Sequence, residues 1–212
     1  IAYFYGAVFV PNKICLVTQF AEYGSLQNLM NNNKKTQEIN IKVKTKICLD
    51  SSKGISYLHE NGIIHRDIKP DNILVFTLDP ATNIIAKLTD FGSARNVNTM
   101  ITDMTFTKGI GTPVYMAPEV LKQEKYTKSA DVYSFSITMY ECFGWSEAYN
   151  TKRFHFSWNI AEFVVSGNRL ERREEIPEEI YEMIQMCWNQ NPRDRCTIQS
   201  VIYCLQIYFE TH

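Results

Sequence analysis

Two apolar runs open the sequence, at residues 1–10 and 14–20, and a Pro-Asn-Lys stretch at 11–13 separates them. Aromatic and β-branched residues fill both runs, and proline and asparagine favour a turn between them. The pattern therefore predicts a β-hairpin. Because the first run starts at Ile1, already inside the predicted strand, we expect the sequence to be a piece of a longer protein.

Helical periodicity dominates most of the remaining sequence. From about Ile39 to His59, apolar residues recur at near-helical spacing, and Asn61-Gly62 is typical of a helix end. Ser25 is suited to cap a shorter helix earlier in the chain. The same periodicity predicts four later helices, at about residues 129–144, 159–166, 178–188 and 197–209.

Two short strands interrupt this helical pattern. Ile73–Phe76 and Ile84–Leu88 are apolar, and the segment 78–83 between them contains the turn-forming residues Asp, Pro and Asn. The order of elements therefore predicts an α+β protein, mainly helical, with one small strand pair in addition to the N-terminal hairpin.

Composition narrows the classes of partner and compartment. A formal net charge of -1 gives no overall electrostatic attraction to nucleic acid or to an anionic membrane, and we expect neither partner. No apolar run approaches the roughly 20 residues that a membrane-spanning helix needs. The six cysteines form no CxxC pair, which argues against a zinc or dithiol centre. Free, mostly buried thiols are typical of a reducing compartment, so we expect a cytoplasmic protein.

The most specific local signals are two motifs that flank the strand pair. The octapeptide His65–Asn72 reads HRDIKPDN, and Asp90–Gly92 reads DFG. These motifs resemble the catalytic loop and the metal-binding loop of protein kinases, and the resemblance extends over essentially the whole chain. It implies a protein-kinase-like fold and transfer of the γ-phosphate of ATP, with Mg²⁺ as the metal.

The resemblance assigns roles to five side chains. Asp67 would orient the substrate hydroxyl or accept its proton, and Lys69 would face the transferred phosphate. Asn72 and Asp90 would hold the metal ions. Lys69 and Thr112 stand where tyrosine kinases have other residues, which makes serine or threonine of a protein substrate the expected acceptor, and the Thr112 hydroxyl would bridge Asp67 and Lys69.

The predicted hairpin runs into a segment that resembles the kinase hinge, which binds adenine. Thr18 would be the gatekeeper, and the backbone of Gln19 and Ala21 would hydrogen-bond the adenine above Leu74. Taken without the later motifs, these residues would equally suit an ordinary strand or core. The candidate nucleotide-binding residues are Thr18, Gln19, Ala21, Ser25 and Leu74.

Further matches concern residues that support the site. Glu119, in the segment 111–119 that reads GTPVYMAPE, is expected to pair with Arg195, even though Cys196 stands where the family usually has proline. Asp131 resembles the residue that accepts hydrogen bonds from the catalytic-loop backbone, although an Asp at a helix start is often only a cap. Segments at 131–135, 167–170 and 180–188 resemble the tyrosine-kinase-like branch of serine/threonine kinases.

Regulation by an upstream kinase is also expected. Arg66, beside the catalytic Asp67, would be an unpaired cation until a phosphate arrives on the activation segment. A solvated, threonine-rich loop without regulation is the alternative. The candidate phosphate acceptors in that segment are Thr99, Thr102, Thr105 and Thr107.

The sequence departs from a complete kinase at its N-terminal side. No glycine-rich phosphate loop, strand lysine or helix glutamate of the kinase pattern is present. We therefore expect residues 1–24 to be remnant strands and the hinge of a smaller lobe, and residues 25–212 to form the helical lobe. The rival interpretation is a pseudokinase or scaffold that binds partners without catalysis.

Overall fold

A computed structural model of the chain describes residues 1–11, 13–32, 39–96, 112–149 and 153–212. Its strands are β1 Phe4–Val10, β2 Lys13–Thr18, β3 Ile63–Ile64, β4 Ile73–Val75, β5 Ala86–Leu88 and β6 Arg95–Asn96. Its α-helices are α1 Leu26–Asn32, α2 Ile41–Glu60, α3 Pro118–Leu121, α4 Lys128–Gly144, α5 Ser157–Val165, α6 Glu178–Cys187 and α7 Ile198–Thr211. Short 3-10 helices lie at Pro70–Asn72, Pro113–Tyr115 and Pro192–Asp194.

The predicted N-terminal hairpin is confirmed. Strands β1 and β2 pair antiparallel, and Val10 lies opposite Lys13 next to the turn. Apolar side chains of both strands face solvent, including Phe9 at 75% exposure and Leu16 at 68%. The backbone N–H of Ala2 donates to the carbonyl of Leu88 at 2.7 Å, so the start of the hairpin is joined to the strand pair β4–β5.

Helix α2 is the element around which the site is assembled. The Asn40 side chain caps it by accepting from the N–H of Lys42 at 2.8 Å, and the helix ends before Gly62, whose φ is 70°. Within the helix, Asp50 accepts a hydrogen bond from the N–H of Ile85 at 2.7 Å and pairs with Lys46 at 2.6 Å. The helix thereby holds the β5 side of the strand pair in place.

Helix α4 forms the centre of the core, because every residue from Ala130 to Gly144 is buried. The buried Ser and Thr hydroxyl groups of the helix donate to its own carbonyls, as when Thr138 donates to the carbonyl of Ser134 at 3.0 Å. The helix ends where the sequence predicts, at Gly144, and Trp145 follows in the left-handed region with φ 49°. Among the described residues, no helix combines the length and apolar character that crossing a bilayer requires.

The small strands differ in detail from the sequence expectation. Strand β5 begins only at Ala86, because the N–H of Ile85 bonds to the Asp50 side chain of α2 and not to β4. The Ile85 carbonyl still accepts from the N–H of Phe76 at 2.9 Å. The pairing of β3 with β6 was not predicted, since each strand has two residues. The pairing of β4 with β5 places Ile73 opposite Leu88, so the loops before β4 and after β5 meet at one end.

Candidate active site

The loop that carries the candidate catalytic residues is held by a buried carboxylate. The backbone N–H groups of His65 and Arg66 donate to the two oxygens of Asp131, each at 2.9 Å. Arg66 has a φ of 71°, a region that non-glycine residues seldom occupy and that needs support from the surrounding structure. The expectation that Asp131 accepts hydrogen bonds from this loop is therefore confirmed.

Two further groups contact Asp131, and sequence reasoning missed both. His59 Nε2 lies 3.0 Å from its Oδ2, and the hydroxyl of Tyr126 donates to its Oδ1 at 3.1 Å. Burial raises the pKa of this fully buried carboxyl, but the hydrogen bond and charge of His59, with the N–H groups of His65 and Arg66, outweigh it and lower the pKa overall. Asp131 is therefore ionised at neutral pH and keeps the catalytic loop in its strained shape.

The predicted catalytic side chains come together in one hydrogen-bonded set. Lys69 Nζ lies 2.9 Å from Asp67 Oδ2 and donates to Thr112 Oγ1 at 2.9 Å. Thr112 Oγ1 in turn lies 3.4 Å from Asp67 Oδ1. Thr112 thus bridges the carboxylate and the ammonium, as the sequence predicts, from a position far along the chain. All three side chains are partly exposed, so a ligand can reach them.

Asn72 supports the same carboxylate and leaves one atom for a metal ion. Its amide nitrogen donates to Asp67 Oδ2 at 3.0 Å and to the carbonyl of Asp67 at 2.8 Å. Because the nitrogen is used in this way, the amide oxygen is the atom left to bind a cation. Amide and carboxylate oxygens are ligands that suit Mg²⁺.

Asp90 follows β5 at the end of the strand pair where the loop that contains Asn72 also lies. The N–H of Thr89 donates to the carbonyl of Asn72 at 3.0 Å, and the next residue, Asp90, is exposed with a φ of 59°. Its Oδ1 accepts from the N–H of Gly92 at 3.2 Å. His65 fixes this turn, since its Nε2 lies 3.0 Å from the carbonyl of Thr89.

These two residues cannot enclose a metal ion by themselves. Within the described ranges, no group of three or more His, Cys, Asp or Glu side chains is arranged to hold one. Mg²⁺ usually takes one or two protein ligands, and substrate phosphates and water complete its octahedral shell. One amide oxygen from Asn72 and one carboxylate from Asp90 would suit that number of protein ligands.

The hinge segment pairs with β4, so Leu74 lies next to it as predicted. The N–H of Tyr23 donates to the carbonyl of Val75 at 3.2 Å, and the N–H of Val75 donates to Gly24 at 2.9 Å. Ser25 forms a β-bridge with Leu74. The Ser25 hydroxyl accepts from a backbone N–H in the first turn of α1 at 3.1 Å, so the predicted cap is confirmed.

At the start of the hinge, fewer backbone groups are free to hydrogen-bond adenine than the sequence suggests. Thr18 is exposed at the end of β2. The N–H of Gln19 is occupied by the carbonyl of Tyr3 at 2.9 Å, and its side chain accepts from Lys87 at 2.6 Å. The carbonyl of Gln19 is therefore its remaining backbone group for adenine. The carbonyl of Ala21 accepts from the N–H of Gly24 at 3.1 Å. The backbone group of Ala21 that could bind adenine is therefore its N–H.

An ion pair fixes the segment that follows Thr112. The two terminal nitrogens of Arg195 donate to the two oxygens of Glu119 at 2.7 and 2.6 Å, and both side chains are buried. Arg195 also donates to the carbonyls of Asn189 and Ser129, which satisfies two more of its N–H groups. The predicted pair is confirmed, and Cys196 next to it does not prevent it.

Glu141, which sequence reasoning missed, holds the same segment from the other side. The Tyr115 hydroxyl donates to its Oε2 at 2.8 Å, and the N–H of Ala148 donates to its Oε1 at 2.7 Å. Burial raises the pKa of Glu141 to about 7, although both hydrogen bonds and Arg173 act in the opposite direction. Burial likewise raises the pKa of Tyr115. A lone Glu inside an apolar helix is the only sequence signal for this contact.

Arg66 is the cation that the sequence connects with regulation. Its Nε is buried and has no hydrogen-bond partner among the described residues, and its guanidinium lies 5.7 Å from the centre of the Tyr126 ring. Burial lowers the pKa of Arg66, and the nearby Arg95 adds to this effect. The threonines of the activation segment, Thr99, Thr102, Thr105 and Thr107, lie outside the described residues.

Comparison with known proteins agrees with this geometry. The family model described as "Protein tyrosine and serine/threonine kinase" matches residues 1–205, and the chain belongs to this family. The family uses ATP and Mg²⁺. The probable serine/threonine-protein kinase gdt2 of Dictyostelium discoideum is 38% identical over 86% of this chain. The putative serine/threonine-protein kinase/receptor R818 of Acanthamoeba polyphaga mimivirus is 35% identical over 93%.

These relatives are much longer than the chain. A third, the probable serine/threonine-protein kinase gdt4 of Dictyostelium discoideum, is 36% identical over 96% of the chain. The chain spans 11% of the length of gdt2, 12% of gdt4 and 11% of R818.

Proposed function

We propose that the chain provides the phosphoryl-transfer site of a protein serine/threonine kinase, which moves the γ-phosphate of ATP to a hydroxyl group on a protein. The observation that supports this most strongly is the hydrogen-bonded set of Asp67, Lys69 and Thr112 beside Asn72. Residues that lie far apart in the sequence meet there around one carboxylate. A purely structural role would not require a carboxylate and an ammonium to remain accessible.

Each side chain has a distinct task in this proposal. Asp67 orients the acceptor hydroxyl and takes its proton, and Lys69 neutralises charge on the transferred phosphate. Thr112 holds both groups at the acceptor. Asn72 and Asp90 bind Mg²⁺ through an amide and a carboxylate oxygen, and the bound metal neutralises charge on the phosphates.

The nucleotide would lie between the hinge and β4. The backbone of Gln19 and Ala21 faces adenine, and Leu74 packs beneath it. Thr18 limits the depth of the pocket, and Ser25 forms its edge where the hinge enters α1. This arrangement supports a division into residues 1–24, which belong to the smaller lobe, and residues 25–212, which form the helical lobe.

The proposal also covers the residue type that accepts the phosphate, the regulation of the activation segment and the cellular compartment. The Thr112 bridge favours serine or threonine in a protein substrate, and the motifs near 131–135 favour the tyrosine-kinase-like branch. An upstream kinase would phosphorylate the activation segment, and the Nε of Arg66, which has no hydrogen-bond partner in the described part of the chain, supports a phosphate contact there. Six free thiols support a reducing, cytoplasmic environment.

A magnesium-ATP phosphorylation assay on the natural full-length protein tests the proposal. Asp67→Asn keeps the size of the side chain and removes the base, so we expect kcat to fall about 10²-fold or more while the KM for ATP changes little. Asp71→Asn, an exposed position in the same loop, is the matched control and should retain activity. Equal phosphate incorporation by wild type and Asp67→Asn would favour the pseudokinase or scaffold instead.

A further inference from the structure

Two cysteines meet beside the ion pair that holds the end of the activation segment. Cys187 is the last residue of α6, and Cys196 precedes α7. Their sulfur atoms lie 3.1 Å apart. The N–H of Cys196 also donates to the carbonyl of Met186 at 3.2 Å, so the two backbones are already held together.

The two thiols differ in environment in a way that separates their roles. Cys187 is completely buried, whereas Cys196 is partly exposed. The hydrogen bond from the Cys187 thiol lowers the pKa of Cys196, although burial opposes this. The same hydrogen bond, together with burial, raises the pKa of Cys187. Cys196 is therefore the sulfur that becomes a thiolate, and Cys187 stays protonated next to it.

A small molecule can reach Cys196. The residue lines a cavity of about 240 Å³ at the protein surface, together with His59, Lys128 and Gln199. This volume exceeds what water or a simple peroxide requires. Cys187 does not line the cavity, so an oxidant meets Cys196 first.

We propose that Cys196 and Cys187 form a redox modification site that reacts with hydroperoxides and closes a reversible disulfide. In the first step the Cys196 thiolate attacks one peroxide oxygen, an S–O bond forms and the O–O bond breaks. The other oxygen leaves as hydroxide or alkoxide and takes a proton from solvent to become water or an alcohol. Cys196 is then a sulfenic acid, and the peroxide has been reduced by two electrons. In the second step Cys187 attacks that sulfur, the S–S bond forms, and the oxygen leaves as water with the proton of Cys187.

The disulfide would act on the segment that carries Thr112. A disulfide bond is about 2.05 Å long, so the two sulfurs must approach each other by about 1 Å. The neighbour of Cys196 is Arg195, whose guanidinium holds Glu119 in a buried pair. A shift of the Arg195 backbone is therefore passed to α3 and to the end of the activation segment. This inference concerns regulation and does not depend on the catalytic role of Asp67.

The test is hydrogen peroxide treatment of the folded chain, followed by alkylation of the remaining thiols, trypsin digestion without reductant and mass spectrometry. Trypsin places Cys187 on the peptide 174–193 and Cys196 on the peptide that begins at residue 196, which contains no Lys or Arg up to residue 212. We expect these two peptides to become linked and to separate again after a thiol reductant. Because the second peptide also contains Cys204, the same result is expected in Cys204→Ser.

Single variants separate the two steps. In Cys187→Ala the reaction stops at the sulfenic acid, so we expect a dimedone adduct at Cys196 and no linked peptides. In Cys196→Ser we expect no dimedone adduct at residue 196 and no linked peptides. Cys15 is exposed but takes no part in the proposed reaction, so Cys15→Ser should behave as wild type. Cys48, fully buried, reports unfolding, since it should remain unreacted in folded protein. Two results would overturn the proposal. One is a disulfide that forms through Cys204, and the other is that Cys187 and Cys196 both remain free thiols after peroxide treatment.

Discussion

Glu141 provides a quantitative test of the packing behind the active site. This carboxyl group lies inside α4, with 1% of its surface exposed, and it binds the hydroxyl of Tyr115 and the N–H of Ala148. Burial raises its pKa from 4.5 to about 7. The folded protein therefore holds this proton more tightly than the unfolded chain does.

The sign and size of the effect on stability follow from this difference. Below about pH 4.5 the group is protonated in both states and has no effect. Between pH 4.5 and 7 the unfolded chain releases the proton while the folded protein retains it, so stability falls as pH rises and then levels off. The pKa difference of about 2.5 units corresponds to about 3 kcal/mol in total.

The perturbation is Glu141→Gln, which keeps the shape of the protonated side chain but cannot ionise. Its amide oxygen can still accept from the N–H of Ala148, and its NH2 group can donate to the Tyr115 hydroxyl. We expect its unfolding free energy, relative to wild type, to rise by about 3 kcal/mol between pH 4.5 and pH 8. Urea unfolding followed by tryptophan fluorescence at a series of pH values measures this difference. Glu182→Gln, at an exposed position of α6, is the control and should stay within about 0.5 kcal/mol of wild type at every pH. A pH-independent difference for Glu141→Gln would refute the reasoning.

Three other substitutions probe the supports of the site. Glu119→Ala leaves the buried Arg195 guanidinium without its partner, and urea unfolding should show a loss of about 3–5 kcal/mol. Asp131→Asn keeps one acceptor oxygen and places an NH2 donor against the other of the two backbone N–H groups, so we expect a lower melting temperature and a lower kcat, measured by calorimetry and by phosphorylation assay. Thr112→Val removes the hydroxyl between Asp67 and Lys69, and kcat should fall, whereas Thr112→Ser should retain most activity.

The parts of the fold that the sequence predicts depend on local patterns. The N-terminal hairpin, the Ser25 cap and the end of α4 at Gly144 each follow from a few adjacent residues, and all are confirmed. The bidentate pair of Glu119 and Arg195 was also predictable, because a buried carboxylate needs such a partner.

The parts that the sequence does not reveal depend on distant segments packing together. The Tyr115 hydroxyl finds Glu141 only because α4 passes beneath the segment after Thr112. Strand β5 is shorter than its apolar pattern suggests, because the Asp50 side chain of α2 takes the N–H of Ile85. These contacts carry no periodic or spacing signal that could be read along the chain.

The most direct test of the central claim is the magnesium dependence of ATP binding, measured by titration calorimetry on the natural full-length protein. If Asp90 and Asn72 hold the metal ion of a nucleotide complex, Mg²⁺ should strengthen ATP binding in wild type and lose this effect in Asp90→Asn. Asp79→Asn, on the exposed turn before β5, should behave as wild type. An equal gain from Mg²⁺ in wild type and Asp90→Asn would contradict the account.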